Sequence, residues 1–177
     1  MVGRRAWPLL AVLVLGVAAC GGGAAGGSAG AEESRLNSDS GEVRCGRPFQ
    51  LPRVVWLRLV ARFPESVPAG RQTLGGTVEV ISGKAMRGVA PKAADVFLVR
   101  DDRVVTTPVA QDAVGIRWEL AAGETRTMPA LASLVSCEPD GGPLAPGDYE
   151  LYARVVVNPD NGAAQRAFGG PWRLRVR

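Results

Sequence analysis

From residue 53 to residue 177 apolar side chains recur at every second position, and no stretch sustains a helical period. Alternation of this kind puts one set of side chains on one face of an extended strand and excludes an amphipathic helix. The segment 53–63 reads RVVWLRLVARF, with Val55, Leu57, Leu59, Ala61 and Phe63 on an apolar face. Val54, Trp56, Arg58, Val60 and Arg62 fall on the other. Val78 and Val80 repeat the pattern around Glu79, and Ile116, Trp118 and Leu120 repeat it around Arg117 and Glu119. Tyr149, Leu151, Ala153 and Val155 alternate with Glu150, Tyr152, Arg154 and Val156. Trp172, Leu174 and Val176 alternate with Arg173, Arg175 and Arg177. Asp95–Val99 and Val104–Thr107 flank a charged turn and read as a hairpin, and Thr125–Leu131 is a weaker strand.

Seven strands separated by Gly, Pro and Asp turns predict an all-β domain over residues 45–177. The expected arrangement is an immunoglobulin-like antiparallel β-sandwich, with closure into a small barrel as the competitor. The last strand is expected to pair with the Tyr149 strand. The loop between them, 157–171 (VNPDNGAAQRAFGGP), is long for a hairpin connection, and Phe168 is its expected apolar tip.

The first 44 residues are of a different kind. Met1-Val2-Gly3-Arg4-Arg5 is a short basic start, and residues 6–19 (AWPLLAVLVLGVAA) carry no charge. That run suits a signal-peptide hydrophobic region and is too short for a spanning helix. It ends Val17-Ala18-Ala19-Cys20-Gly21, which resembles the lipobox of bacterial lipoproteins. The resemblance implies cleavage after residue 19 and diacylation of the Cys20 thiol. Two acyl chains anchor stably where one binds marginally. Residues 1–19 are thus expected to be a signal peptide, and 20–44 a lipidated cysteine with a Gly/Ala/Ser-rich tether. A flexible tether of this length reaches roughly 25–30 Å. The expected location is the extracytoplasmic face of the cell membrane, with the membrane as a partner through Cys20.

Cys45 and Cys137 remain. In an oxidising compartment an even pair reads as a disulfide. The bridge would close a loop of about 92 residues, worth about 4–5 kcal/mol in the chain-entropy model. A reactive thiol is the alternative, since Arg44 and Arg47 flank Cys45.

Two turns carry a second resemblance. Leu144-Ala145-Pro146-Gly147-Asp148-Tyr149 looks like the entry to a late strand of bacterial immunoglobulin-like domains, where the tyrosine hydrogen-bonds back across the turn. Upstream, Leu120-Ala121-Ala122-Gly123-Glu124 resembles another turn of the same domains, with Ala122 at a position usually held by proline. Together they resemble the proteinase-inhibitor domain of the BsuPI type. The resemblance implies a β-sandwich and, as an alternative function, inhibition of a proteinase at the cell surface.

The chain has no histidine, which excludes a Ser-His-Asp triad, a Cys-His dyad and any His-ligated metal site. Asp101-Asp102 lies in a turn, Ser82-Gly83-Lys84 lacks the spacing of a Ser-Lys catalytic pair, and no carboxylates are placed for glycoside hydrolysis. An envelope hydrolase is therefore the weakest reading; no enzyme, cofactor or metal is expected. Asp160-Asn161-Gly162 reads as a turn, without the downstream glutamate of a calcium loop. Residues 45–177 hold 17 basic and 13 acidic side chains, scattered rather than clustered, so no nucleic-acid partner is expected. The leading expectation is a non-enzymatic module that binds a protein or an anionic envelope polymer. Candidate binding residues fall in two groups. Arg173, Arg175 and Arg177, with Arg154 on the neighbouring strand, form a basic stripe that meets anionic surfaces or simply discourages edge pairing. Trp56 shares a face with Arg58 and Arg62 and either receives a ligand or packs at the sheet edge.

Overall fold

A computed structural model describes residues 42–52, 56–112 and 114–177. The segments expected to be signal peptide and tether, with Cys20, lie outside the described residues except for 42–44. The domain is all-β. Its ten strands are β1 (Leu57–Arg62), β2 (Ser66–Val67), β3 (Thr73–Ser82), β4 (Met86–Pro91), β5 (Ala94–Arg100), β6 (Arg103–Val104), β7 (Gly115–Leu120), β8 (Thr125–Ser133), β9 (Gly147–Pro159) and β10 (Gln165–Val176). Hydrogen-bonded neighbours run β1-β3-β8-β5-β9-β10-β2, and β4 joins β7 to the far end of β9.

Alternation fixes which side of each strand is buried. Leu57 and Leu59 on β1, Val78 and Val80 on β3, Met128, Ala130 and Ala132 on β8, and Leu151, Ala153, Val155 and Val157 on β9 join one core. Trp118 and Leu120 of β7 belong to the same cluster, so the β4–β7 pair and the β1–β3–β8 region enclose it from two sides. The sheet curls far enough that β10 comes against β1. A β-carbon at Gly169 would lie 2.6 Å from Leu59 Cβ, so only glycine permits this approach.

Strand β9 pairs with β10 along nearly its whole length, as expected of the last strand. The register shifts by one between Gly169 and Trp172, a bulge in β10. The 157–171 segment is mostly strand, which corrects the long loop expected there: β9 runs to Pro159, β10 starts at Gln165, and only 160–164 connect them. Gly169-Gly170-Pro171, inside the expected loop, sits in the bulge. Strand β4 has no clear mark in the sequence, because Gly88 and Pro91 dilute its β signal. Gly88 is required by contact: a β-carbon there would collide with the carbonyl oxygen of Asn158 on β9.

A second cluster lies on the opposite side of the sheet. Phe97 and Val99 of β5, Val104 of β6, Tyr152 of β9 and Phe168 of β10 point away from the main core. Residues 45–49 cover them as a strap. Gly46 N–H donates to Val104 O (2.8 Å), Val104 N–H to Arg47 O (3.0 Å) and Phe49 N–H to Asp102 O (2.9 Å). The Phe49 ring packs edge-on to Phe97 (4.8 Å) and Tyr152 (4.9 Å). Phe168 is therefore buried among aromatic rings, which corrects its expected place at an exposed tip. Cys45 and Cys137 form a disulfide, with S–S 2.05 Å, that fixes the start of the strap.

Removing the Phe49 ring takes away the centre of this cluster. Phe49→Ala is expected to lower stability by about 3–5 kcal/mol, the range for truncating a buried aromatic residue. Urea unfolding measures this; an unchanged midpoint would mean that the strap is not coupled to the fold.

Candidate functional site

The strands sort the candidate residues into two ends. Gly147, Arg177 and the Asp101–Asp102 turn lie at one end, because Val176 pairs with Gly147 and Val99 with Glu150. Pro159 and the 160–164 tip lie at the other, together with the start of β1 and the end of β3, since Leu57 pairs with Ser82.

At the first end the arginine stripe is real in direction but not in charge. Arg173, Arg175 and Arg177 are all exposed along β10. Arg175 makes a two-pronged contact with Asp148 (2.7 and 3.2 Å), and Glu150 stands opposite Arg173 in the register. Arg154 is removed from the stripe by Asp95, which accepts from its Nε and Nη2 at 3.0 and 2.7 Å. The stripe is thus interleaved with carboxylates, a partner set that alternation along one strand cannot reveal. Tyr149 hydroxyl donates to Ala145 O (2.7 Å), the bond across the turn expected of it, and Arg100 lies 5.3 Å from its ring centre. Burial, with a hydrogen bond to Glu150, pushes the Tyr152 phenol above its ordinary range.

The second end holds a groove of about 630 Å³, lined by Trp56, the 84–87 turn, Pro159–Asn161 and Gln165. Trp56 is half-buried: it packs against the main core and also lines the groove. Lys84 Nζ lies 5.2 Å from the ring centre. Both rims are held by hydrogen bonds. Gly83 N–H donates to Trp56 O (2.7 Å), and Ser82 hydroxyl to Lys84 O (2.6 Å). On the facing rim Asp160 N–H donates to Arg87 O (3.1 Å), and Arg117 grips the Asp160 carboxylate at 2.9 and 2.6 Å. Arg87 is itself paired with Glu119. Arg62 is turned to Glu79 (2.8 Å), which raises its pKa through that hydrogen bond, and Arg58 is exposed on β1. Neither lines the groove. Sequence reasoning singled out Trp56 and the tip separately. It gave no signal that β1 and β9 bring them together, because that depends on register across the curled sheet.

Among the described residues no group of three or more Cys, Asp or Glu side chains is placed to hold a metal.

No family model matches the chain, and no curated protein matches it. Among solved structures it is similar to a β-glucosidase from Listeria innocua, at 19% identity and TM-score 0.35, over 68% of this chain and 16% of that one. A β-glucosidase from Erythrobacter marinus matches at 16% identity and TM-score 0.32, with 68% and 15% covered. Spo0M, a sporulation control protein from Bacillus subtilis, matches at 19% identity and TM-score 0.38, with 70% and 50% covered. The chain thus spans about one-sixth of the glucosidases and half of Spo0M. None of these likenesses assigns an activity.

The Arg175 hydrogen bond holds the Asp148 carboxyl below the ordinary aspartate range, against an opposing desolvation and with help from the charges of Arg175, Arg173 and Arg100. A lowered carboxyl pKa means the pair stabilises the fold above the ordinary aspartate titration, and that contribution is lost as pH falls through the lowered value. Carboxyl NMR is expected to show Asp148 titrating low and returning upward in Arg175→Gln. An unmoved titration would contradict the pairing.

Proposed function

We propose that the chain is a lipid-anchored, extracytoplasmic, non-enzymatic binding module whose ligand site is the Trp56 groove. One observation supports this above others. The clamped entry of the tether and the groove lie far apart on one rigid sheet. Cys137 N–H bonds to Val105 O, Val105 N–H to Leu98 O, and Leu98 stands opposite Leu151 of β9. Pro159, at the groove, is eight residues further along the same strand, roughly 25 Å at strand rise. A domain held at Cys45 is joined to its tether at a point away from the groove. The lipobox-like Cys20, the tether and the disulfide suit an oxidising surface location, and a half-buried indole beside polar side chains suits recognition.

Cys20→Ser is expected to move the protein from membranes to the soluble fraction; full retention in the membrane fraction would overturn the anchor. A photo-crosslinking residue at Asn161 in living cells is expected to capture a specific adduct, with a control at Thr127 on the far sheet face capturing none. Identical profiles at the two positions would overturn the groove as the site.

A further inference from the structure

We propose that the Trp56 groove binds a saccharide bearing a single carboxylate per recognised unit, an inference that rests on the binding-module reading above. The charges lining the groove nearly cancel. Arg87 is neutralised by Glu119, and Asp160 by the two-pronged grip of Arg117. Lys84 is left as the uncompensated charge: among the described residues it forms no salt bridge, and its ammonium sits over the Trp56 ring. The groove thus has a place for one carboxylate, at Lys84, and the other charges of a longer ligand fall outside it.

The rest of the lining selects the kind of molecule. Asn161 and Gln165 face the groove, and among the described residues their side chains make no hydrogen bond. Each amide offers both a donor and an acceptor, the complement of a hydroxyl. The indole offers a flat apolar wall, the complement of the C–H face of a sugar ring. A protein anchor would ask for something else. Interface hot spots sit in desolvated, largely apolar surroundings. Here the apolar lining beyond Trp56 is Ala85, Pro159 and the buried Met86, among five charged or amide side chains. Cation and wall also work together. Trp56 packs against the main core, and Lys84 stands over its ring, so a sugar stacks there only as the flexible lysine swings from the ring face to the carboxylate the sugar carries.

The rims that carry these groups are already hydrogen-bonded in place, which lowers the ordering cost of binding. Calorimetric titration of the detergent-solubilised full-length protein tests the proposal, with tetragalacturonate as the probe and neutral galactotetraose as its uncharged counterpart. Tetragalacturonate is expected to bind, and galactotetraose about tenfold more weakly, the low end of what a hydrogen bond to a charged group contributes. Lys84→Gln is expected to erase that preference while leaving the weaker neutral binding. Trp56→Ala is expected to abolish binding of both, with its urea midpoint showing whether it is folded. No binding of either probe, equal binding of the two, or an undiminished preference in Lys84→Gln would overturn the proposal. A protein captured at Asn161 together with absent glycan binding would overturn it and leave the binding-module reading standing.

Discussion

Strand β9 is hydrogen-bonded along both edges, and everything else in the domain takes its position from it. One edge carries β10 from Gly147 to Val157. The other is divided between β5, opposite residues 150–154, and β4, opposite Asn158 and Pro159. A strand paired in this way cannot slip, because a one-residue shift would turn Leu151, Ala153, Val155 and Val157 out of the core. It would also drive Tyr152 off the aromatic cluster on the other side. Two apolar faces therefore specify one register.

The two faces serve different ends. The inner face supplies the main core. Phe97, Val99, Tyr152 and Phe168 on the outer face would lie open to water without residues 45–49 over them. The disulfide and Phe49 act on the same short segment, one covalently and one by packing. Covalent closure of a long loop acts mainly on the unfolded chain, whereas the ring acts on the folded one. The result is a strap, residues 45–49, pinned to the middle of the sheet, with the Trp56 groove at the sheet's end.

Much of this architecture was legible in the residues. Period two located β1, β3, β7, β9 and the second half of β10, and it put Leu57, Val78, Trp118 and Leu151 on the buried side; the charged turn marked β5, and β8 was the weaker signal. Two cysteines left for pairing were enough to expect the bridge. What escaped was set by contacts between distant strands. Gly88 and Pro91 hid β4, although Gly88 is there because β9 passes against it. Phe168 looked like a loop tip because nothing local shows that Phe49, more than a hundred residues earlier, covers it. The arginine stripe looked basic because Asp148 and Asp95 lie on other strands. The Trp56 groove is legible only as separate parts, since its rims come from β1, the β3–β4 turn and the β9–β10 tip.

Strand β9 is the rigid reference that holds the strap and the groove apart. Native-state hydrogen exchange, resolved by residue, measures this directly. The amides of Leu151 to Val155 are predicted to be among the slowest in the protein, opening only with global unfolding, while the 160–164 tip exchanges quickly. Exchange along β9 as fast as at the tip would contradict the account.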